Sequence, residues 1–333
     1  MTKRLLTISQ DQAWLDIVSY GRRGPGQRGR LGSANYEAIA RTTGNIPEVM
    51  VKVTGGGRNI RQVRDEIDYF GRNGTLEIET DDGERLIGEG IPKQLIDEWN
   101  LELERLRGAS PYSSKPGRKA PRIVYNLMFS MPAGTPPQKV LAAVKKFAFE
   151  KFALAHRYAM VLHTDQKHPH VHLLLKARSE EGVRLHITKP VLREWRQAFA
   201  RYLRELGVAA NATDRKSRGQ TRPRKKDGIY RAHLRGESTH MRARAERVAA
   251  DLLHGKLTPE TARAKLLKTR EEVRRGWKAI SEQLIVEGQP RLAEDVSRFA
   301  AALPPVRTER ELIAAALVAR AGRLRNQDQS KTR

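Results

Sequence analysis

The 333-residue chain contains no cysteine, and this absence removes several classes of protein at once. Disulfide scaffolds, zinc sites built on thiolates and cysteine nucleophiles are excluded, so any bound metal ion must have His, Asp or Glu ligands. Long apolar runs are also absent. None approaches the roughly 20 residues that a membrane-spanning helix needs, and the N-terminus has no signal-peptide core. The sequence therefore predicts a cytoplasmic protein with no membrane insertion.

Acidic residues are scarce relative to basic ones. The chain has 63 Lys and Arg against 38 Asp and Glu, which gives a net charge of +25. A surplus of this size favours a polyanionic partner, and nucleic acid is the first to consider. Only 39% of the residues are hydrophobic and 6% aromatic. The apolar residues nevertheless recur with clear periodicity, which predicts a folded protein rather than a disordered one.

Composition divides the chain into three predicted regions. Residues 1–45 include GRRGPGQRGRLGS, whose Arg, Gly and Pro content is typical of a mobile basic arm. Residues 46–222 alternate strand and helix patterns with local hairpins, which indicates an α+β domain with a largely antiparallel sheet. A basic linker, DRKSRGQTRPRKK, follows. Residues 223–333 consist mainly of helix formers, so a basic α-helical C-terminal region is expected.

Three local features are also expected within the α+β domain. The sequence predicts one helix from Pro92 to about Leu106, a flexible basic loop at SPYSSKPGRKAP and a short strand at LHIT.

Histidines are concentrated in one short segment. Four of the nine fall within ten residues, together with an aspartate: His163, Asp165, His168, His170 and His172. The runs YAMVLHTD and HVHLLLKA are predicted as two strands joined by a tight turn, and alternation places His170 and His172 on one face. The hairpin would bring His163 and Asp165 beside them, which is a metal-site geometry, although residue type alone does not choose among zinc, copper and iron. The alternative is a turn that is merely rich in histidine.

Tyr69 is the best candidate for a nucleophile in phosphate chemistry. Its helix buries an apolar stripe that consists of Ile60, Val63, Ile67 and Phe70. Tyr69 lies about 200° around the helix from Ile67, so the phenol points away from the core, close to Arg72. A solvent-exposed tyrosine without a function is the alternative. Tyr20, within the N-terminal arm, is the other candidate nucleophile.

Four motifs resemble, in this order and spacing, those of the conjugative relaxases (mobilization nucleases) of the MOB-P class: VKVTGGG, DYFGRNGTLEIE, FSMPAGT and HTDQKHPHVHLLLKA. The resemblance covers about residues 46–222, and the last motif is the most specific. The family pattern of tyrosine, aliphatic residue, small residue and arginine is present as Tyr69-Phe70-Gly71-Arg72, with a phenylalanine in the aliphatic position. The resemblance implies a histidine-hydrophobe-histidine endonuclease fold.

The resemblance also implies the chemistry. Tyr69 would attack one phosphodiester at an origin of transfer and leave a 5′-phosphotyrosyl link with a free 3′-hydroxyl. A divalent ion, Mg²⁺ or Mn²⁺, would be held by His163, His170 and His172. Asp165 would either orient a neighbouring histidine or accept the phenol proton, and both roles stay open.

Contacts with DNA are expected from Arg72, Thr135 and His168. Thr135 would bind near the cut. His168 is offset from His170 by an odd number of residues, so a regular strand would turn it to the opposite face, and its contact with the site stays open.

The implied partner is single-stranded DNA at an origin of transfer on a plasmid or integrative element. A type IV secretion coupling protein and accessory relaxosome proteins are further candidates. Three alternatives remain. A rolling-circle replication initiator or single-tyrosine transposase would share the chemistry, a metal-dependent phosphoesterase would use water, and a non-catalytic single-stranded nucleic-acid-binding protein would need no histidine cluster.

Overall fold

A computed structural model describes residues 15–108, 120–220, 227–255 and 261–331. The chain divides into two compact units: Asn45–Ala212, here called the sheet unit, and Met1–Gly44 with Thr213–Arg333, here called the helical unit. The predicted domain bounds of 1–45, 46–222 and 223–333 stay a prediction. Most of the expected basic loop SPYSSKPGRKAP, and the end of the expected linker, lie outside the described residues.

Helices and strands alternate through the sheet unit, whereas every helix or strand in the described part of the helical unit is a helix. The strands are β1 (Met50–Gly55), β2 (Ile78–Thr80), β3 (Arg85–Leu86), β4 (Val124–Ser130), β5 (Tyr158–His163) and β6 (His170–Lys176). The helices are α1 (Ile17–Arg22), α2 (Ser33–Thr43), α3 (Ile60–Phe70), α4 (Ile91–Glu98), α5 (Leu101–Gly108), α6 (Pro137–Phe152), α7 (Lys189–Glu205), α8 (Asp227–Leu234), α9 (Thr239–Leu253), α10 (Thr261–Val286), α11 (Pro290–Ala301) and α12 (Glu309–Lys331).

The six strands form one sheet in the order β1-β4-β6-β5-β2-β3. Every neighbouring pair is antiparallel, so the predicted α+β fold with a largely antiparallel sheet is confirmed. Every residue of β6 is buried, which explains why its sequence is apolar on both faces apart from its histidines and terminal lysine.

One face of the sheet packs against α6 and α7. Phe129 of β4 lies at the centre of this core, with its ring centroid 4.9 Å from that of Phe147 and 5.2 Å from that of Phe199. Helix α7 begins where the Thr188 hydroxyl accepts a hydrogen bond from the Val191 amide. The expected strand at LHIT is therefore wrong, because its last residue caps a helix and only a single bridge, Arg178 with Arg184, precedes it.

The opposite face of the sheet packs against α3, α4 and α5. Val63, Ile67 and Phe70 are buried there as the stripe predicts. The expected continuous helix from Pro92 to Leu106 is wrong, since α4 ends at Glu98 and α5 begins at Leu101. Asn100 takes a left-handed conformation between them, with φ of 51°, which turns the chain and lets both Trp99 and Leu101 enter the core.

The helical unit has its own core. Ile17, Val18 and Tyr20 of α1 are buried in it together with residues of α10 and α11. Gly21 and Gly276 allow α1 and α10 to approach closely, because a Cβ at either position would meet the backbone of the other helix. The described part of the expected mobile arm, residues 15–45, thus differs from the prediction: α1 packs against α10 and α2 against α11. No described helix has the length and apolar character of a membrane span.

Candidate metal and catalytic site

Three buried imidazoles converge at one end of the central strands. Antiparallel pairing sets His163 of β5 directly opposite His170 of β6, and His172 lies two residues further along the same face. The ring centroids are 4.9 to 5.3 Å apart. One ring nitrogen from each histidine lies within 4.8 Å of the other two. The arrangement predicted from the alternation in HVH is therefore present, and it is a candidate metal site.

Hydrogen bonds fix the rings of His170 and His172. The Nδ1 atom of His170 donates to the carbonyl oxygen of His168 over 3.0 Å, and Nδ1 of His172 donates to the Asn126 side-chain oxygen over 2.9 Å. Because both partners are acceptors, both Nδ1 atoms carry the proton and both Nε2 atoms keep a lone pair for a ligand. His168 takes part through its backbone, and its side chain is exposed in the turn.

His163 is bound differently. Its Nε2 donates to the carbonyl oxygen of Phe70 at the end of α3 over 2.7 Å, and its Nδ1 accepts from Arg72 Nη2 over 3.2 Å. A metal ion bound by this ring must replace one of these partners. The Arg72 side chain is the partner that moves more easily, because it is partly exposed whereas the Phe70 carbonyl belongs to the packed helix end.

The imidazoles of His163 and His172 are suited to a cation because burial keeps them neutral. Burial lowers the pKa of His163, with Arg72 and His170 adding to the effect. Burial, together with the neighbouring imidazoles of His163 and His170, lowers the pKa of His172 to about 3. At neutral pH these rings therefore keep their lone pairs. Three imidazole nitrogen donors fit a divalent transition ion, and they match Mn²⁺ better than Mg²⁺, which prefers oxygen ligands.

Arg72 connects the histidines with Tyr69 and Asp165. Tyr69, in the last turn of α3, is 50% exposed, and the Arg72 guanidinium carbon lies 5.4 Å from the centre of its ring. Arg72 Nη2 also donates to Asp165 Oδ2 over 2.7 Å. This bond lowers the pKa of Asp165. Asp165 Oδ1 lies 3.9 Å from His163 Nδ1, so the carboxylate pairs with the arginine first and with the imidazole only at longer range.

Thr135 lies in the turn between β4 and α6. Its hydroxyl donates to the Pro132 carbonyl oxygen over 2.9 Å, so its immediate partner belongs to its own turn. The turn sits at the histidine end of the sheet, because Ser130 pairs with His170 and the Met131 amide donates to the Pro169 carbonyl oxygen. Contact between Thr135 and DNA stays a prediction.

Two residues at this site were not predicted from the sequence. Asn126 is 1% exposed on β4, and its amide nitrogen donates to the Glu66 carboxylate on α3. The available signal was an asparagine inside the apolar run VYNLMFS, since a buried polar side chain in a central strand requires a partner. Glu66 gave no such signal, because a glutamate on an amphipathic helix is usually solvated.

An antiparallel sheet with a His-Val-His strand facing a third histidine is the arrangement expected of a histidine-hydrophobe-histidine endonuclease fold. Residues 76–208 match the family model described as relaxase, MobA/VirD2-like, nuclease domain. This segment is therefore similar to the nuclease domain of MobA/VirD2-like relaxases. The matched segment contains the three histidines, Asp165 and Thr135, whereas Tyr69 and Arg72 precede it.

Proteins similar to this chain include T-DNA border endonucleases. The chain is 24% identical over 186 residues to the T-DNA border endonuclease VirD2 of Agrobacterium fabrum, covering 52% of this chain and 41% of that protein. It is 24% identical over 142 residues to VirD2 of Rhizobium rhizogenes, covering 40% and 32%. The chain thus spans less than half the length of these relatives. A solved structure described as "Molecular Basis of Vancomycin Resistance Transfer in Staphylococcus aureus" aligns over 51% of this chain and 99% of its own, at 15% identity and a TM-score of 0.33.

Proposed function

We propose that the protein is a relaxase that nicks one DNA strand at an origin of transfer, with Tyr69 as the nucleophile of a transesterification. The observation that carries the proposal is the junction between α3 and the three histidines. His163 bonds the carbonyl of Phe70, the residue after Tyr69, and Arg72 contacts both the Tyr69 ring and His163. An exposed phenol beside buried imidazoles and a guanidinium suits attack on a phosphodiester.

The chemistry of each side chain suggests a separate role in the reaction. The three imidazoles would hold Mn²⁺ or Mg²⁺, and such an ion polarises a phosphoryl oxygen and stabilises developing negative charge. Arg72 places a permanent positive charge next to the phenol, where it can bind the scissile phosphate. Asp165 holds that guanidinium in place through its 2.7 Å bond. A carboxylate whose pKa is lowered by an arginine is a weak base, which favours a positioning role over proton acceptance.

Transesterification suits a protein that must rejoin the strand it cuts. A phosphotyrosyl bond conserves the energy of the phosphodiester, so the free 3′-hydroxyl can attack it in the reverse reaction. Hydrolysis by water would discard that energy.

The charge distribution supports a DNA substrate that both units attract. Asn45–Ala212 has 27 basic and 20 acidic residues, a net charge of +7, and the remaining residues have 36 and 18, a net charge of +18. Single-stranded DNA would therefore find its catalytic contacts in the sheet unit and much of its electrostatic attraction in the helical unit. A type IV secretion coupling protein and accessory relaxosome proteins are the partners that strand transfer would require.

A labelled library of single-stranded oligonucleotides tests the proposal. Incubation with the full chain and Mn²⁺ should give cleavage and a covalent adduct. Tyr69→Phe should abolish both, while its affinity for uncleaved oligonucleotide stays within about twofold, because the substitution changes no charge. Tyr20→Phe is the matched control. Its phenol lies in the helical unit and donates to the Gly29 carbonyl, so full activity is expected.

Three other outcomes of these experiments would indicate a different function. Cleavage by Tyr69→Phe at the parent rate would indicate a phosphoesterase that uses water. Binding without any cleavage by the parent under a range of divalent ions would indicate a non-catalytic binding protein. Adduct formation without transfer in cells that carry a matching secretion system would favour a replication initiator or a transposase.

A further inference from the structure

We infer that Asn126 and Glu66 form a relay that sets the tautomer of His172, and that Asn126 is thereby a positioning residue of the metal site. The inference rests on the proposed function, because it gives the His172 ring the role of a metal ligand. It adds to that function by assigning a task to two residues outside the three histidines.

The relay is a continuous chain of hydrogen bonds inside the sheet unit. Asn126 lies on β4, next to β6, and is 1% exposed. Its side-chain oxygen accepts from His172 Nδ1 over 2.9 Å, and its side-chain nitrogen donates to Glu66 Oε1. The amide therefore spans from the imidazole on the sheet to the carboxylate on α3.

The carboxylate decides the orientation of the amide. An ionised carboxylate only accepts hydrogen bonds, so the NH₂ group of Asn126 must face Glu66 and its oxygen must face His172. An oxygen at this position requires a proton on Nδ1 of His172. The lone pair then resides on Nε2, on the opposite side of the ring. With the amide reversed, its oxygen would oppose the carboxylate and its NH₂ group would require the other tautomer.

Local backbone structure makes room for Glu66. A Cβ at Gly55 would lie 2.7 and 2.8 Å from the two carboxylate oxygens, so any side chain there would force Glu66 to move from its present position. Gly55 ends β1 and pairs across to Asn126, so the missing side chain leaves the space in which the carboxylate reaches the amide. Glu66 also lies three residues before Tyr69 on α3, so one helix carries both the candidate nucleophile and the end of the relay.

Substitution of Asn126 tests the inference with two readouts. The first is the tautomer of His172 in the metal-free protein, measured from ring nitrogen shifts by NMR. The second is the affinity for Mn²⁺, measured by calorimetry. Asn126→Leu removes the acceptor, so we expect a loss of the Nδ1-protonated tautomer and Mn²⁺ binding that is about 10 to 100 times weaker. The double variant Asn126→Asp, Glu66→Gln keeps an acceptor facing His172 and gives the second carboxylate oxygen a donor at position 66, so it should restore both values to near those of the parent.

Two further variants complete the design. Met128→Leu is the control, because Met128 lies opposite His172 in the strand register and has no polar side chain; it should change neither readout. Glu66→Gln supplies a donor where the carboxylate only accepts, so the amide can reverse and His172 should become a mixture of tautomers.

The inference is overturned if Asn126→Leu and Glu66→Gln keep the tautomer of the parent, or if the double variant Asn126→Asp, Glu66→Gln loses Mn²⁺ affinity as completely as Asn126→Leu. Failure of the proposed function looks different. In that case the parent itself would not bind Mn²⁺, while the tautomer of His172 would still respond to the variants.

Discussion

Acid should destabilise the metal-free sheet unit in a way that can be traced to a single buried histidine. Burial lowers the pKa of His172 to about 3 in the folded protein, whereas an unfolded chain has a histidine pKa of about 6.5. Between these values the unfolded state binds more protons than the folded state, so stability falls as the pH falls. The loss begins near pH 6.5 and would end only near pH 3. Burial lowers the pKa of His163 as well, which adds to the loss with the same sign.

The size of the effect follows from the linkage relation. Each pH unit in which only the unfolded state is protonated costs about 1.4 kcal/mol per histidine. Lowering the pH from 7 to 5 should therefore remove about 2 kcal/mol through His172 alone. His172→Gln keeps a donor for Asn126 but cannot titrate in this range. Its free energy of unfolding should fall by about 2 kcal/mol less than that of the parent over the same interval.

The free energy of unfolding of each unit can be measured by urea unfolding of the fluorotryptophan-labelled chain, followed by ¹⁹F NMR with chelator present. Trp99 and Trp195 report on the sheet unit, and Trp277 reports on the helical unit. The loss of stability caused by His172 should appear only in the signals of Trp99 and Trp195. Equal losses of stability in the parent and in His172→Gln would refute the reasoning, because they would show that His172 already titrates normally in the folded state.

The remaining predictions concern packing, domain structure and the role of Asp165. Phe129→Ala should destabilise the sheet unit by about 3 to 5 kcal/mol in the same urea assay, since it removes a fully buried ring from a dense core, whereas the exposed Phe149→Ala should cost little. A fragment of residues 45–212 should fold and cleave an origin oligonucleotide, with a salt dependence that is shallower by about 0.7 in log-log slope for each phosphate that the fragment no longer binds; a fragment that folds without cleaving would contradict this. Asp165→Asn should slow cleavage by no more than about fivefold if the carboxylate only positions Arg72, because a half-exposed ion pair contributes up to about 1 kcal/mol. A decrease of a hundredfold or more would instead assign it the role of general base.

The sequence predicts the features that depend on local periodicity. Alternation along HVHLLLK places His170 and His172 on one face, and helical spacing from Val63 to Phe70 predicts the buried stripe of α3. Both patterns predict the buried face reliably, because the period of a strand or a helix depends only on local backbone geometry.

Features that depend on distant residues could not be predicted in this way. Glu66 and Asn126 are 60 residues apart and meet only because α3 covers the sheet. Arg72 adopts a left-handed conformation, with φ of 52°, that directs it toward His163 and Asp165, 91 and 93 residues away. The break at Asn100 has the same origin, since the tertiary core and not the local propensity bends the chain there.

The central claim, that Tyr69 attacks the DNA, is tested most directly by locating the covalent link. The adduct formed by the full chain with an origin oligonucleotide and Mn²⁺ can be digested with nuclease and protease, and the modified peptide identified by tandem mass spectrometry. The account predicts a nucleotide attached through its 5′-phosphate to Tyr69, in the sequence DYFGRNG. Attachment to Tyr20 or another residue, or cleavage that leaves no attached nucleotide on any peptide, would contradict it.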